Sequence, residues 1–261
     1  MPIKPLVRRR DSETRGRHLI AEDNIVKGQI IFCERPMIAL QSLGNSFSGA
    51  LCCQYCMSFV GTPEQALEIA SDPTCLQAIT TKDHPEQMEG EHALIACRYK
   101  CGHVYCSLEC QQDDWEWGGH KELCTGNIEQ TNHPLLKFKQ HSVETNEIFL
   151  LVAQWLARIH NHDIPYHEDD KQNTHPYTDF MMNPWWDVAT LPLMNSPQAA
   201  EERAELEQSC KRLCEESHAF LQEAWPLHDV SQWLTPLGMA RLIGSLEQNC
   251  VGGTYISLIC V

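Results

Sequence analysis

Apolar residues fall at helical spacing in separate stretches of the second half of the chain, and in short extended runs near its start. Gly16-Arg17-His18-Leu19-Ile20-Ala21 and Ile25-Val26-Lys27-Gly28-Gln29-Ile30-Ile31-Phe32 read as a strand, a turn opened by Gly28 and a second strand, with an extended exit at Arg35-Pro36. Between residues 62 and 70, Thr62 as N-cap, Pro63 at the first position and Gln65 closing a capping box announce a helix carrying Ala66, Leu67, Ile69 and Ala70. Ile148, Phe149, Val152, Trp155, Leu156 and Ile159 form a buried helical stripe, and at 12 residues that segment is too short to span a membrane. Residues 161–196 are a polar, proline-broken connection whose Trp185-Trp186 pair reads as a buried anchor rather than a groove lining.

A long helix follows. Ser196 caps it, Pro197 opens it, and it runs to Trp225-Pro226 with Leu206, Cys210, Leu213, Phe220 and Leu221 on one side and a Glu207–Lys211 pair on the surface. Cys210, Cys214 and His218 also share a face, and read as packing residues because no fourth ligand is nearby. The last helix signal starts at Thr235-Pro236 and extends to about Leu246.

Composition changes this picture little. The 261 residues suffice for one large or two modest domains, and 43% hydrophobic content is that of a globular protein. Met1 to Arg10 lacks the apolar core of a secretory leader. The net charge is −15, yet residues 1–17 carry six Lys or Arg against Asp11 and Glu13, leaving −19 for the remainder. Such a body argues against a nucleic-acid face and against no protein partner; lysine-rich segments would be steered toward it. Arg8-Arg9-Arg10 gives no more than a hint of nuclear import, so a cytoplasmic and/or nuclear location is expected.

The cysteines carry the chemistry. With Cys75 set aside, the ladder is Cys53-x2-Cys56, Cys97-x3-Cys101, Cys106-x3-Cys110 and His120-x3-Cys124. Four close pairs of thiolate or imidazole donors are what two tetrahedral zinc ions require. Disulfides suit a small secreted domain, and nothing here suggests one. Interleaved pairs of this kind cross-brace, so Cys53, Cys56, Cys106 and Cys110 are expected on one Zn2+, and Cys97, Cys101, His120 and Cys124 on the other. Ser107 reads as an N-cap that puts Cys110 in the first turn of a helix, where the dipole favours a thiolate; the helix should stop at Gly118-Gly119. Cys52, Cys75, His92 and His103 lie near enough to substitute, and read as packing or surface residues because the set is complete.

Cys-x2-Cys, Cys-x3-Cys-x3-Tyr-Cys-x3-Cys and His-Lys-x2-Cys, with Asp114-Trp115 before the histidine, resemble a MYND zinc finger. The 40 residues between Cys56 and Cys97 exceed the usual gap, and Trp115 stands about two residues further from its histidine than is usual. A ubiquitin-ligase type of cross-braced finger fits the Cys-x3-Cys and His-x3-Cys steps poorly. A hairpin directly ahead of the finger is similar to the opening of a SET domain, so the chain resembles the SET–MYND lysine methyltransferases. The resemblance implies an α+β fold: the first part of a SET domain over 1–50, a finger with a long insertion over 51–126, and a mainly helical region over 127–261. It also implies S-adenosylmethionine as cofactor, with Arg15, Gly16 and Arg17 touching it, although His18 stands where the family has a second glycine. MYND fingers resemble modules that take proline-rich segments, for which Gln111 and Trp115 would be contacts; lysine-containing proteins are the implied substrates. The later catalytic segments of a SET domain are not found among these residues, so the expectation is a truncated chain that does not itself transfer methyl groups.

Overall fold

The computed structural model describes residues 6–31, 36–43, 51–61, 94–127, 129, 132–161, 182–189, 197–225 and 233–249. The chain divides into two compact units, Met1–Met37 and Ile38–Val261.

The first unit is built on an antiparallel hairpin, β1 (Val7–Ser12) paired with β2 (Gly16–Ala21) from Val7↔Ala21 to Ser12↔Gly16. Residues 13–15 form the turn, Arg15 N–H donates to Ser12 Oγ at 3.1 Å, and Gly16 takes φ +59°. Glu22 extends the ladder with an N–H bond to Leu6 O at 2.9 Å, and its carboxylate meets Arg8 Nε at 2.7 Å. This corrects the expected pairing across Gly28. Lys27-Gly28 is a turn, but Ile30 and Ile31 lie exposed outside any strand, because β2 is already paired with the arginine-rich segment before it. The expected extended exit at Arg35 lies outside the described residues.

The second unit holds a short hairpin, β3 (Ile95–Ala96) with β4 (Val104–Tyr105), followed by α1 (Leu108–Asp113). A π-helical turn over Asp114–Gly118 continues it, and α2 (His120–Leu123) follows. Then come α3 (Leu135–Glu144), α4 (Ile148–Asn161), α5 (Trp185–Val188), α6 (Pro197–Ala224) and α7 (Pro236–Asn249). Helix α4 starts where Asn146 Oδ1 accepts from Ile148 N–H at 3.0 Å, and α7 where Thr235 Oγ1 accepts from Gly238 N–H at 2.9 Å. The helix signal over 62–70 and the Ser196 cap lie outside the described residues.

The stripe on α4 is the centre of the helical core. Phe149, Val152, Trp155 and Leu156 are buried together with Leu135 and Phe138 of α3, Cys214 and Leu221 of α6, and Met239, Leu242 and Ile243 of α7. Trp185 is a buried anchor, its ring edge-on to Phe149 at 5.9 Å, while Lys211 lies 5.2 Å from the Trp186 ring. His218 is bound to the Leu234 carbonyl at 3.1 Å, and Cys210 and Cys214 are buried in the packing. No helix among the described residues is long and apolar enough to cross a membrane.

Phe149 is wholly buried at the meeting point of these helices. Phe149→Ala should therefore destabilise the unit by about 3–5 kcal/mol, read from the midpoint of a urea unfolding curve.

Candidate metal centre

Two knuckles and two helix ends bring the chemistry-bearing side chains together. Residues 51–60 fold back on themselves through Val60 N–H to Leu51 O, Cys53 N–H to Ser58 O and Met57 N–H to Cys53 O, at 2.8–2.9 Å. Met57 closes the turn at φ +62°, so Cys53 and Cys56 point to one place. Gln54 N–H donates to Val104 O at 3.0 Å, which fixes this knuckle beside β4. Cys106 follows β4, and Ser107 caps α1 by accepting from Cys110 N–H at 3.0 Å. The second knuckle leaves β3: Cys97 N–H bonds His103 O and Lys100 N–H bonds Cys97 O, both at 2.8 Å, with Lys100 at φ +60°. Gly119 at φ +89° ends the π turn, starting α2 at His120 and leaving Cys124 just past its end.

The result is two groups of donors, Cys53–Cys56–Cys106–Cys110 and Cys97–Cys101–His120–Cys124, each with its ligand atoms within 4.8 Å of one another. Tetrahedral zinc with Zn–S near 2.3 Å and Zn–N near 2.0 Å demands S···S edges of about 3.8 Å and S···N edges of about 3.5 Å. In the first group Cys56 and Cys106 sulfurs are 3.5 Å apart, and Cys106 and Cys110 sulfurs 3.6 Å. In the second, His120 Nε2 lies 3.3 Å from Cys97 Sγ and 3.5 Å from Cys101 Sγ, and Cys97 and Cys124 sulfurs are 3.9 Å apart. The donors and their edges fit that ion.

Their electrostatics fit a cation as well. A thiol hydrogen bond from Cys53 holds Cys56 down to about 4, and the same bond pushes Cys53 up. Burial pushes Cys101 and Cys106 each up to about 12. Burial also raises Cys97, but hydrogen bonds outweigh it, Tyr99 N–H first, and the net direction is down. Burial brings His120 down to about 3, so its imidazole is neutral and free to donate a lone pair. Lys139 of α3 faces Cys101, Cys124 and Cys97, a cation beside a group that three thiolates and one zinc would leave at −1.

The expected substitutes fall elsewhere. Cys52 bridges to Phe59 across the first knuckle, and Cys75 and His92 lie outside the described residues. His103 stacks on His120 at 4.5 Å between ring centres, and forms a third group with Asp114 and His120. The sequence names Asp114 only as part of the motif with Trp115 and gives it no role of its own; its buried side chain accepts from Tyr105 Oη at 2.9 Å. Gln111 Nε2 donates to Ala96 O at 2.8 Å, so it braces α1 against β3. Trp115 stacks on Tyr99 at 4.8 Å with Arg98 4.8 Å over its ring. Arg15 and Gly16 lie exposed at the end of the β1–β2 turn and Arg17 follows in β2; His18 Nδ1 is 3.0 Å from Gly16 O.

The chain is 26% identical over 251 residues to the protein-lysine N-trimethyltransferase SMYD5 of Gallus gallus, covering 92% of this chain and 54% of that one. It is 31% identical over 155 residues to SMYD5 of Mus musculus, covering 56% and 35%. The chain is related to the SET–MYND methyltransferases. A more distant relative is the histone-lysine N-methyltransferase ATXR2 of Arabidopsis thaliana, 23% identical over 195 residues, covering 57% of this chain and 41% of that one. The matched region spans 54% of the Gallus gallus protein and 35% of the Mus musculus one, so the chain covers about half or less of the length of these curated relatives. No family model matches the chain, and no solved structure does.

Acid should strip metal from these groups. The unfolded chain protonates His120 near its ordinary 6.5 and the folded chain only near 3, so the unfolded state binds more protons between them and stability rises with pH. Zinc binding has the same sign, because every ligand must lose its proton. Lowering the pH from about 6.5 towards 3 should release metal to a chromophoric chelator and unfold the finger together; full retention at the acid end would contradict this.

Proposed function

We propose that this chain is a zinc-binding SET–MYND protein that holds two Zn2+ ions: one on Cys53, Cys56, Cys106 and Cys110, the other on Cys97, Cys101, His120 and Cys124. The observation that carries the reading is the spacing of those eight donors in two tetrahedral sets. Zinc here is structural, since each set is complete in four protein ligands and leaves no open position for a substrate. The finger then spans residues 51–126, preceded by SET-type sequence over 1–50 and followed by the helical region from 127.

The work it serves in this reading is the methylation of lysine in protein substrates with S-adenosylmethionine, the activity named for its relatives. The cofactor contact at Arg15, Gly16 and Arg17 follows from the resemblance alone; Gly16 takes φ +59° in an exposed turn, which leaves its backbone accessible. A second reading, a non-catalytic module that takes proline-rich segments, is favoured by aromatic surface on the finger. Tyr99, stacked on the partly covered Trp115, is 46% exposed, and Trp117 is 50% exposed. Aromatic rings of this kind suit the flat, preformed face of a proline helix. Cytoplasmic and/or nuclear location accords with either.

Metal analysis of the purified chain should return about two zinc per molecule, and removal by chelator should unfold the finger. Calorimetric titration of S-adenosylmethionine into the zinc-loaded chain then separates the two readings: saturable binding supports the cofactor site, and no heat supports the interaction module. In the second case Trp115→Ala should abolish capture of a proline-rich peptide. Near-zero zinc would contradict the proposal at its root.

A further inference from the structure

His120 presents Nε2 to Cys97 and Cys101, which leaves Nδ1 on the far side of the ring. That Nδ1 is buried without a hydrogen-bond partner, and so is Nδ1 of His103 stacked against it. A histidine that gives Nε2 to a metal must carry its proton on Nδ1, and a buried N–H needs an acceptor. The nearest carboxylate is Asp114, whose ligand atom lies within 4.8 Å of a ring nitrogen of each of His103 and His120, a span that one bridging water closes.

The local backbone makes room for this carboxylate. A Cβ at Gly118 would sit 1.9 Å from Asp114 Oδ1, so any larger residue there would displace it. The π turn over Asp114–Gly118 takes up the extra residues between Trp115 and His120, and turns Asp114 inward toward Tyr105. Arg158 Nε holds the same turn from α4 through Gly118 O at 3.1 Å.

We propose that Asp114 is the positioning residue of the Cys97–Cys101–His120–Cys124 site: it accepts from His120 Nδ1–H through one bridging water, with His103 at the same polar pocket, and so fixes the tautomer and ring orientation that aim Nε2 at the metal. The Cys53–Cys56–Cys106–Cys110 site has no such residue and is the internal control. The proposal rests on the two-zinc reading.

The test uses the full chain loaded with zinc and labelled with 15N-histidine. In the parent, the His120 Nδ1–H resonance should be protected from exchange and hydrogen-bonded. Asp114→Leu, which keeps volume but no acceptor, should shift that resonance, expose it to exchange and weaken zinc at the Cys3His site about 10- to 100-fold. Asp114→Asn retains a carbonyl acceptor and should lose about 10-fold or less. Zinc on the four-cysteine site should be retained in both variants. An unchanged His120 Nδ1–H signal in Asp114→Leu overturns the inference, as does equal loss of metal from both sites, which marks a general packing role. A parent that binds no zinc overturns the two-zinc reading, and this inference with it.

Discussion

Eight donors from four separate pairs must converge on two points, and the rest of the finger follows from that requirement. Short knuckles place each pair: Met57 and Lys100 accept positive φ so that Cys53–Cys56 and Cys97–Cys101 each face inward. These left-handed residues are unfavourable by themselves, and persist because backbone hydrogen bonds and the cysteine groups over-determine them. The β3–β4 pair is only two residues on each side, far too short to be stable alone. Its sheet is a spacer between metal groups, and the hydrophobic cluster of Val60 and Tyr105 around Cys53, Cys97 and Cys101 is correspondingly small. In a module of this size bound zinc would supply folding free energy that the core cannot.

The finger is not a bead on a string, since its second metal group is fastened to the helical core. Gly119 lies so near α4 that a Cβ would approach Ala157 Cβ to 2.7 Å, and Arg158 reaches back to Gly118 O. Trp225 at the end of α6 donates to Glu122 Oε2 at 3.4 Å, and Lys139 of α3 faces the sulfurs. Three helices of the core thus meet the segment that starts α2. Loss of metal at the Cys3His site would loosen this seam, because His120 belongs to both.

Much of this was legible in the sequence, and for physical reasons. The grouping of eight donors follows from spacing alone, because a pair two or three residues apart reaches one point from a single turn. Ser107 and Gly119 were readable as helix start and stop, and α4, α6 and α7 as periodic stripes with proline or polar starts. Three features were not. The partner of β2 is Val7–Ser12, whose charged Arg8-Arg9-Arg10 run has no alternation to betray a strand exposed on both faces. Helix α3 carries two lysines and a glutamine among its apolar positions, a pattern that blurs its buried face. Asp114 stands in the motif beside Trp115 with nothing to mark it as buried, and only the π turn, absent from any local propensity, carries it inside.

The most direct test of the central claim is X-ray absorption at the zinc edge of the loaded chain. Seven cysteines and one histidine shared between two ions predict an average shell of about 3.5 sulfur and 0.5 nitrogen per zinc, with Zn–S near 2.3 Å. A shell rich in oxygen, or a pure four-sulfur shell at one zinc per chain, would contradict it.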